Sequence, residues 1–244
     1  MKTLFTSLVL LCFMSIKAQQ IDKIDDIDVR PVEHATFALS WQGKQLLFDP
    51  STEKEKLKNV PSPDYVFITD IHGDHLSIGT LQNLDLSHAS LIVPPLVAEQ
   101  LPLELRNKAK IMKNGENITL GDIKVEAIPM YNLPESSEAF HTKGRGNGYI
   151  ITLGTKRVYV SGDTEDIPEM RSLQDIYLAF VCMNMPYTMT IQQAAEAVLA
   201  FKPKIVYPYH YRGQNGQSDT RAFEQLVHDE DPTIQVLLRD WYKK

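Results

Sequence analysis

Residues 65–76 read YVFITDIHGDHL, and both the fold and the chemistry turn on this stretch. Tyr65, Val66, Phe67 and Ile68 form a short apolar run of the kind that fills a buried strand. The run empties into a polar loop that carries Asp70, His72, Asp74 and His75 within six residues. Alternating residues of a tight turn can aim such side chains at one point, and Gly73 is read as easing a close backbone path. A single Asp or His at a strand end is usually just solvated. Two of each, directly after a buried strand, point to a metal site.

Working outward, other apolar runs end in the same way. Lys156–Val160 leads into Ser161-Gly162-Asp163, and Ile205–Tyr207 leads into Tyr209-His210. Upstream, a charged, loose lead over Asp22–Asp28 precedes strands at Val32–Leu39 and Lys44–Phe48, joined at Gln42-Gly43. Leu76–Leu86 and Val97–Leu105 read as helices, the second weakened by Pro102. Leu91–Val93 reads as a strand. Hairpins are expected at Ile118–Leu120 with Ile123–Pro129 and at Gly148–Leu153 with Lys156–Val160. Ile176–Phe180 follows as a buried strand. Thr190 and Gln193 have capping-box spacing at the head of a helix that Pro203 ends. A last helix, Thr220–His228, and a strand, Ile234–Leu238, close the chain. Strands dominate the first two-thirds and strand–helix alternation the last third, so a layered α/β sandwich is expected, its polar strand ends gathered at one edge.

Composition sets the outer bounds. The chain has 244 residues, of which 43% are hydrophobic and 23% charged, enough apolar material for one sizeable core. Residues 1–18 stand apart: Lys2 opens a basic start, Leu4 to Ile16 is apolar, and Ala18 suits a signal-peptidase cut. The run is too short for a membrane span, so a cleaved secretory signal is expected, followed by a single domain over residues 19–244 in the periplasm or outside the cell. Losing Lys2 and Lys17 with that segment takes the net charge from −6 to −8, which argues against nucleic-acid partners and anionic membranes. Cys182 would then be the one remaining cysteine, with no intrachain disulfide to form.

With these residues in place, the sequence resembles the metallo-β-lactamase superfamily, whose signature is HxHxDH followed by a distant His, Asp and His on a four-layer αββα sandwich. Here the signature reads Asp70-Ile71-His72-Gly73-Asp74-His75, with Asp70 where the family has a histidine. The later positions match His141 in AFHTKGRG, Asp163 in YVSGDTED and His210 in YPYHYRG. The phrases HATFAL, LLFDP, SGDT and the stretch from MTIQQAAEAV to FKPKIVYPYHY are similar to the branch that contains L-ascorbate-6-phosphate lactonase. By resemblance, one divalent cation takes Asp70, His72 and His141, a second takes Asp74, His75 and His210, and Asp163 bridges them. Asp74 and Asp163 are then the carboxylates expected in catalysis. Zinc is the first expectation, with manganese or iron favoured more as hard oxygen ligands replace imidazole.

Further expectations concern neighbouring residues. His34 is placed near the metals, and Asp49 is read as an acceptor that orients a ligand histidine. Lys143, Arg145 and Arg212 are read as grips for an anionic substrate, and Tyr187 and Tyr211 as pocket lining. The function expected is hydrolysis of a small ester, lactone or phosphodiester by metal-activated water. A non-catalytic metal- or ligand-binding protein of the same fold, suggested by Asp70, and a true β-lactamase are the alternatives.

Overall fold

A computed structural model describes residues 20–242, and the expected signal segment lies outside them. The chain forms β1 (Asp22–Ile24), β2 (Ile27–Glu33), β3 (Thr36–Trp41), β4 (Lys44–Phe48), α1 (Lys54–Leu57), β5 (Tyr65–Phe67), α2 (Ile78–Asn83), β6 (Ser90–Val93), α3 (Pro95–Gln100), α4 (Leu103–Arg106) and β7 (Ala109–Ile111). It continues with β8 (Asn117–Leu120), β9 (Ile123–Met130), β10 (Gly146–Leu153), β11 (Lys156–Val160), α5 (Pro168–Arg171), β12 (Ile176–Cys182), α6 (Ile191–Phe201) and β13 (Ile205–Tyr209). A small β14 (Arg212–Gly213) and β15 (Gly216–Gln217) hairpin, α7 (Thr220–Glu230) and β16 (Gln235–Val236) complete it.

Two seven-stranded sheets result, ordered β1-β2-β3-β4-β5-β6-β7 and β16-β13-β12-β11-β10-β9-β8. In each, four strands pair antiparallel and the remaining pairings are parallel, with helices carrying the crossovers. The first sheet shows why the layers form. Phe37, Leu39, Leu46, Phe48, Phe67 and Ile92 face the second sheet. Their neighbours Ala38, Leu47, Val66, Leu91 and Val93 face the opposite way, against Leu57, Leu81, Val97 and Leu105 of the helical layer. That is the period-two alternation of a strand buried on both faces. Phe37 stacks on Phe48 at 4.4 Å and on Phe180 of the other sheet at 4.1 Å, which ties the two sheets together. On the far side, α6 buries Ala194, Ala195, Ala197, Val198 and Phe201. The four-layer αββα sandwich expected from the sequence is the fold observed.

Several local expectations are corrected. The Asp22–Asp28 lead is not loose: its carboxylates flank the alternating buried positions Ile27, Val29 and Pro31 of β2. Val32–Leu39 is two strands, because His34 adopts φ +55° and turns the chain between β2 and β3. Pro102 splits the expected Val97–Leu105 helix into α3 and α4. The Thr190–Gln193 capping box is present in both directions. Cys182 is buried, forms no disulfide among the described residues, and donates from Sγ to the Thr164 carbonyl at 3.4 Å. No helix among the described residues is long and apolar enough to cross a membrane.

The close approach that places the site is made by glycine, though not by Gly73. Gly73 is exposed and a Cβ there would meet nothing within 4 Å. Gly146 is different: a Cβ would lie 2.5 Å from the Thr69 carbonyl oxygen, and Asn147 N–H donates to that same oxygen at 2.9 Å. The start of β10 is thereby laid against the loop that follows β5. Gly146→Ala should lower stability by about 1–3 kcal/mol, since backbone rather than a flexible side chain must give way. Urea denaturation of the two proteins checks this, and an unchanged midpoint would contradict it.

Candidate metal centre

Five strand ends and turns build one basin. The loop after β5 brings Asp70, His72, Asp74 and His75, its turn closed by His75 and Leu76 N–H groups on the His72 carbonyl at 3.0 and 2.8 Å. Asp163 follows β11, His210 follows β13, and His141 stands in the connection from β9 to β10. The β2–β3 turn adds His34, whose carbonyl accepts from His210 N–H at 3.3 Å. Potential ligand atoms fall into three groups, each within 4.8 Å: Asp70/His72/His141, His75/Asp163/His210, and His34/Asp74/His210, the last two sharing His210.

Three of the imidazoles, those of His75, His141 and His34, are held from behind, whereas His210 Nδ1 is buried without a partner. His75 donates from Nδ1 to Asp49 Oδ2 at 2.9 Å, and Asp49 also accepts from Thr69 N–H at 2.8 Å and the Thr69 hydroxyl at 2.7 Å. His141 Nδ1 lies 3.1 Å from Asn132 Oδ1, which also accepts the His141 backbone N–H at 2.7 Å. His34 Nδ1 lies 2.8 Å from the Tyr242 hydroxyl, leaving Nε2 at 3.2 Å from Asp74 Oδ2. Such outer contacts fix which ring nitrogen faces a metal. Asp49 thus sits where an orienting acceptor was expected. Asn132, Thr69 and Tyr242 carried no sequence signal, since nothing in their surroundings distinguishes them from ordinary polar or aromatic residues.

Asp163 lies between the groups. Its Oδ2 is 3.2 Å from His141 Nε2 and 3.4 Å from His75 Nε2, while Oδ1 is 3.3 Å from His210 Nε2. The donor set fits divalent cations. His141 Nε2 and Asp163 Oδ1 are buried without a hydrogen-bond partner. The Nε2 atoms of His75 and His210 face each other at 3.1 Å, which two lone pairs tolerate only with a proton or cation between them.

Electrostatics agree with this. Burial alone would lower the His75 imidazole, but Asp163 and Asp49 on either side outweigh it and hold it well above the ordinary histidine range. Burial pushes Asp163 up, yet His210, His75 and His141 hold it well below the usual carboxylate range. His34 is pushed down to about 4, chiefly by burial, and stays neutral at pH 7.

The basic residues are not free grips. Arg145 donates Nε and Nη2 to Asp70 Oδ1 and Oδ2 at 2.9 and 2.8 Å. Lys143 pairs with Glu169 and Glu135 at 3.0 and 3.2 Å and lies over the Tyr131 ring. Both cations expected to grip substrate thus already face carboxylates of the protein. Arg212 is exposed, stacks over the Tyr242 ring at 4.5 Å and makes no ion pair among the described residues. Tyr187 is half-buried edge-on to Phe140, and Tyr211 is buried with its hydroxyl donating to the Arg239 carbonyl.

Two β-sheets back to back with a His/Asp basin at one edge define a metallo-hydrolase class of fold. A family pattern described as "Beta-lactamase superfamily domain" matches residues 40–211. A UPF0173 metal-dependent hydrolase of Pyrobaculum arsenaticum is 30% identical, covering 76% of this chain and 84% of its own. A crystallised protein of Parabacteroides distasonis, named as a candidate metal-dependent hydrolase, is 36% identical and superposes with a TM-score of 0.77 over 87% of this chain and 92% of that one. The metallo hydrolase Igni18 of Ignicoccus hospitalis, 24% identical, shares the fold with a TM-score of 0.73 over 88% and 95% of the two chains. The chain belongs to the metallo-β-lactamase superfamily and, within it, to the UPF0173 metal-dependent hydrolases.

Because Asp163 and Asp49 favour the protonated form of His75, a cation on Nε2 competes with a proton there, so metal binding should release protons and tighten as pH rises. A pH-indicator dye during zinc titration of the chelator-treated protein checks this; zinc uptake with no proton release would contradict it.

Proposed function

We propose that the chain hydrolyses a small ester, lactone or phosphodiester, with two divalent cations, zinc first, held in the basin. The observation that carries this is Asp163, whose two oxygens face different histidines from a buried position. Asp70, His72 and His141 would hold one cation and Asp74, His75 and His210 the other, with Asp163 between. Two such cations would supply an acidified water and polarise the oxygen of the bond under attack.

The residues then divide the remaining work. Asp74 is the ligand carboxylate open to solvent, its side chain 41% exposed, and is placed to take a proton from the attacking water. Neutral His34 backs it through Nε2 and is itself steadied by Tyr242. Asp163 and Asp49 stay buried and keep the imidazoles aligned. Arg212 is the cation left to meet an anionic substrate at the rim, which supports a phosphorylated lactone of the kind the sequence phrases suggest. A small-molecule substrate suits the acidic chain better than nucleic acid does. We also propose, on the composition of residues 1–18, that the protein is exported and that residues 19–244 act as one domain.

Two experiments test this. Asp163→Ala should lose bound metal and turnover together in a screen of lactones, esters, phosphodiesters and β-lactams; full metal content in that variant would remove the bridge. N-terminal sequencing of protein from the native cell should start close to Gln19, and an intact Met1 on cytosolic protein would end the export proposal.

A further inference from the structure

Position 70 is where the chain leaves the family signature, and the structure supplies a partner for the change. An aspartate in place of an imidazole adds a full negative charge to a fully buried position. Left alone, such a charge costs several kcal/mol or is removed by protonation. Arg145, 75 residues further on, meets it with two parallel N–H···O bonds of 2.9 and 2.8 Å. Its own side chain is only 12% exposed. A buried carboxylate and a buried guanidinium together are neutral, as an imidazole is.

We propose that Asp70 and Arg145 act as one unit in place of the missing histidine, a proposal that rests on the basin being a metal centre. Each carboxylate oxygen has two lone-pair directions, and the guanidinium takes one on each. The free direction that matters belongs to Oδ2, which lies 3.0 Å from His72 Nδ1 and 4.0 Å from His141 Nε2. Arg145 therefore cancels the surplus charge and turns the carboxylate so that one oxygen faces the other two ligands of the first site. It is a positioning residue: it reaches the cation only through Asp70. Lysine would supply the charge but not the planar fork that fixes both oxygens. The unit also depends on backbone placement. Gly146, pressed against Thr69, starts β10 beside the loop and so sets Arg145 over Asp70.

The test is a cycle of Asp70→His, Arg145→Met and the double variant, with Arg145→Lys as the milder probe. Each is stripped with chelator, reloaded with zinc, and read by zinc per chain and by melting temperature. Wild type should take up about two zinc ions per chain. Arg145→Met, with an unpaired carboxylate, and Asp70→His, with an unpaired guanidinium, should each weaken the first site by about 10–100-fold and melt several degrees lower. The double variant should recover both readouts, and Arg145→Lys should fall between wild type and Arg145→Met. Full zinc content and an unchanged melting temperature in Arg145→Met would overturn the unit alone. A double variant no better than the sum of the singles would do the same. Wild-type protein that takes up no zinc would instead overturn the metal-centre reading beneath it.

Discussion

Asp49 holds the centre together from beneath. It ends β4 fully buried, with φ +41°, and its carboxylate accepts from Thr69 N–H, the Thr69 hydroxyl and His75 Nδ1. Its own carbonyl accepts from the Thr36 hydroxyl at 2.6 Å. One residue, through its main-chain carbonyl and its carboxylate, therefore locks the ends of β3, β4 and β5 into a common edge and sets the ring of His75. A buried carboxylate is tolerable only when its lone pairs are met this completely, so the packing of the sheet and the orientation of the site share a single set of bonds.

From that anchor the basin is assembled by contrast between inner and outer faces. The outward atoms of His75, His141 and His34 are satisfied by Asp49, Asn132 and Tyr242, while the inward atoms of His141, His210 and Asp163 converge on one another. The neighbours that favour the charged form of His75 and hold Asp163 as a carboxylate describe a cluster that binds a positive charge of some kind whether or not a metal supplies it. A hydrolase needs such a site preformed, because ligands that must reorganise at each turnover forfeit the rate that fixed polar groups provide.

The end of the described chain takes part in this support. His34 N–H donates to the Trp241 carbonyl at 3.3 Å, Trp241 N–H donates to the Tyr211 hydroxyl at 3.3 Å, and the Tyr242 hydroxyl accepts from Arg212 N–H at 3.0 Å. The β2–β3 turn and the segment after β16 thus brace each other across the mouth of the basin. Trp241 also meets Phe37, Phe180 and Tyr209 edge-on or tilted, so the same segment is rooted in the core.

The sequence alone determined the layers, because the apolar runs that become β3, β4, β5 and β12 and the capped amphipathic α6 are local signals. It also determined the cluster after β5, since Asp70 to His75 lie within one turn, and the acids and histidines after β11 and β13, since each follows an apolar run. It misplaced what depends on long-range contact. The strand break at His34 is imposed by bonds to His210 and Trp241, and the tight glycine is Gly146, whose need for space arises only when β10 meets Thr69. Arg145 and Lys143 looked like free cations because their carboxylate partners lie elsewhere in the chain. Asn132 and Tyr242 gave no sign at all. Periodicity and motif report what a residue's neighbours in sequence can do; which nitrogen of a histidine faces inward, and which charge is already cancelled, is decided by atoms brought together only when the two sheets close.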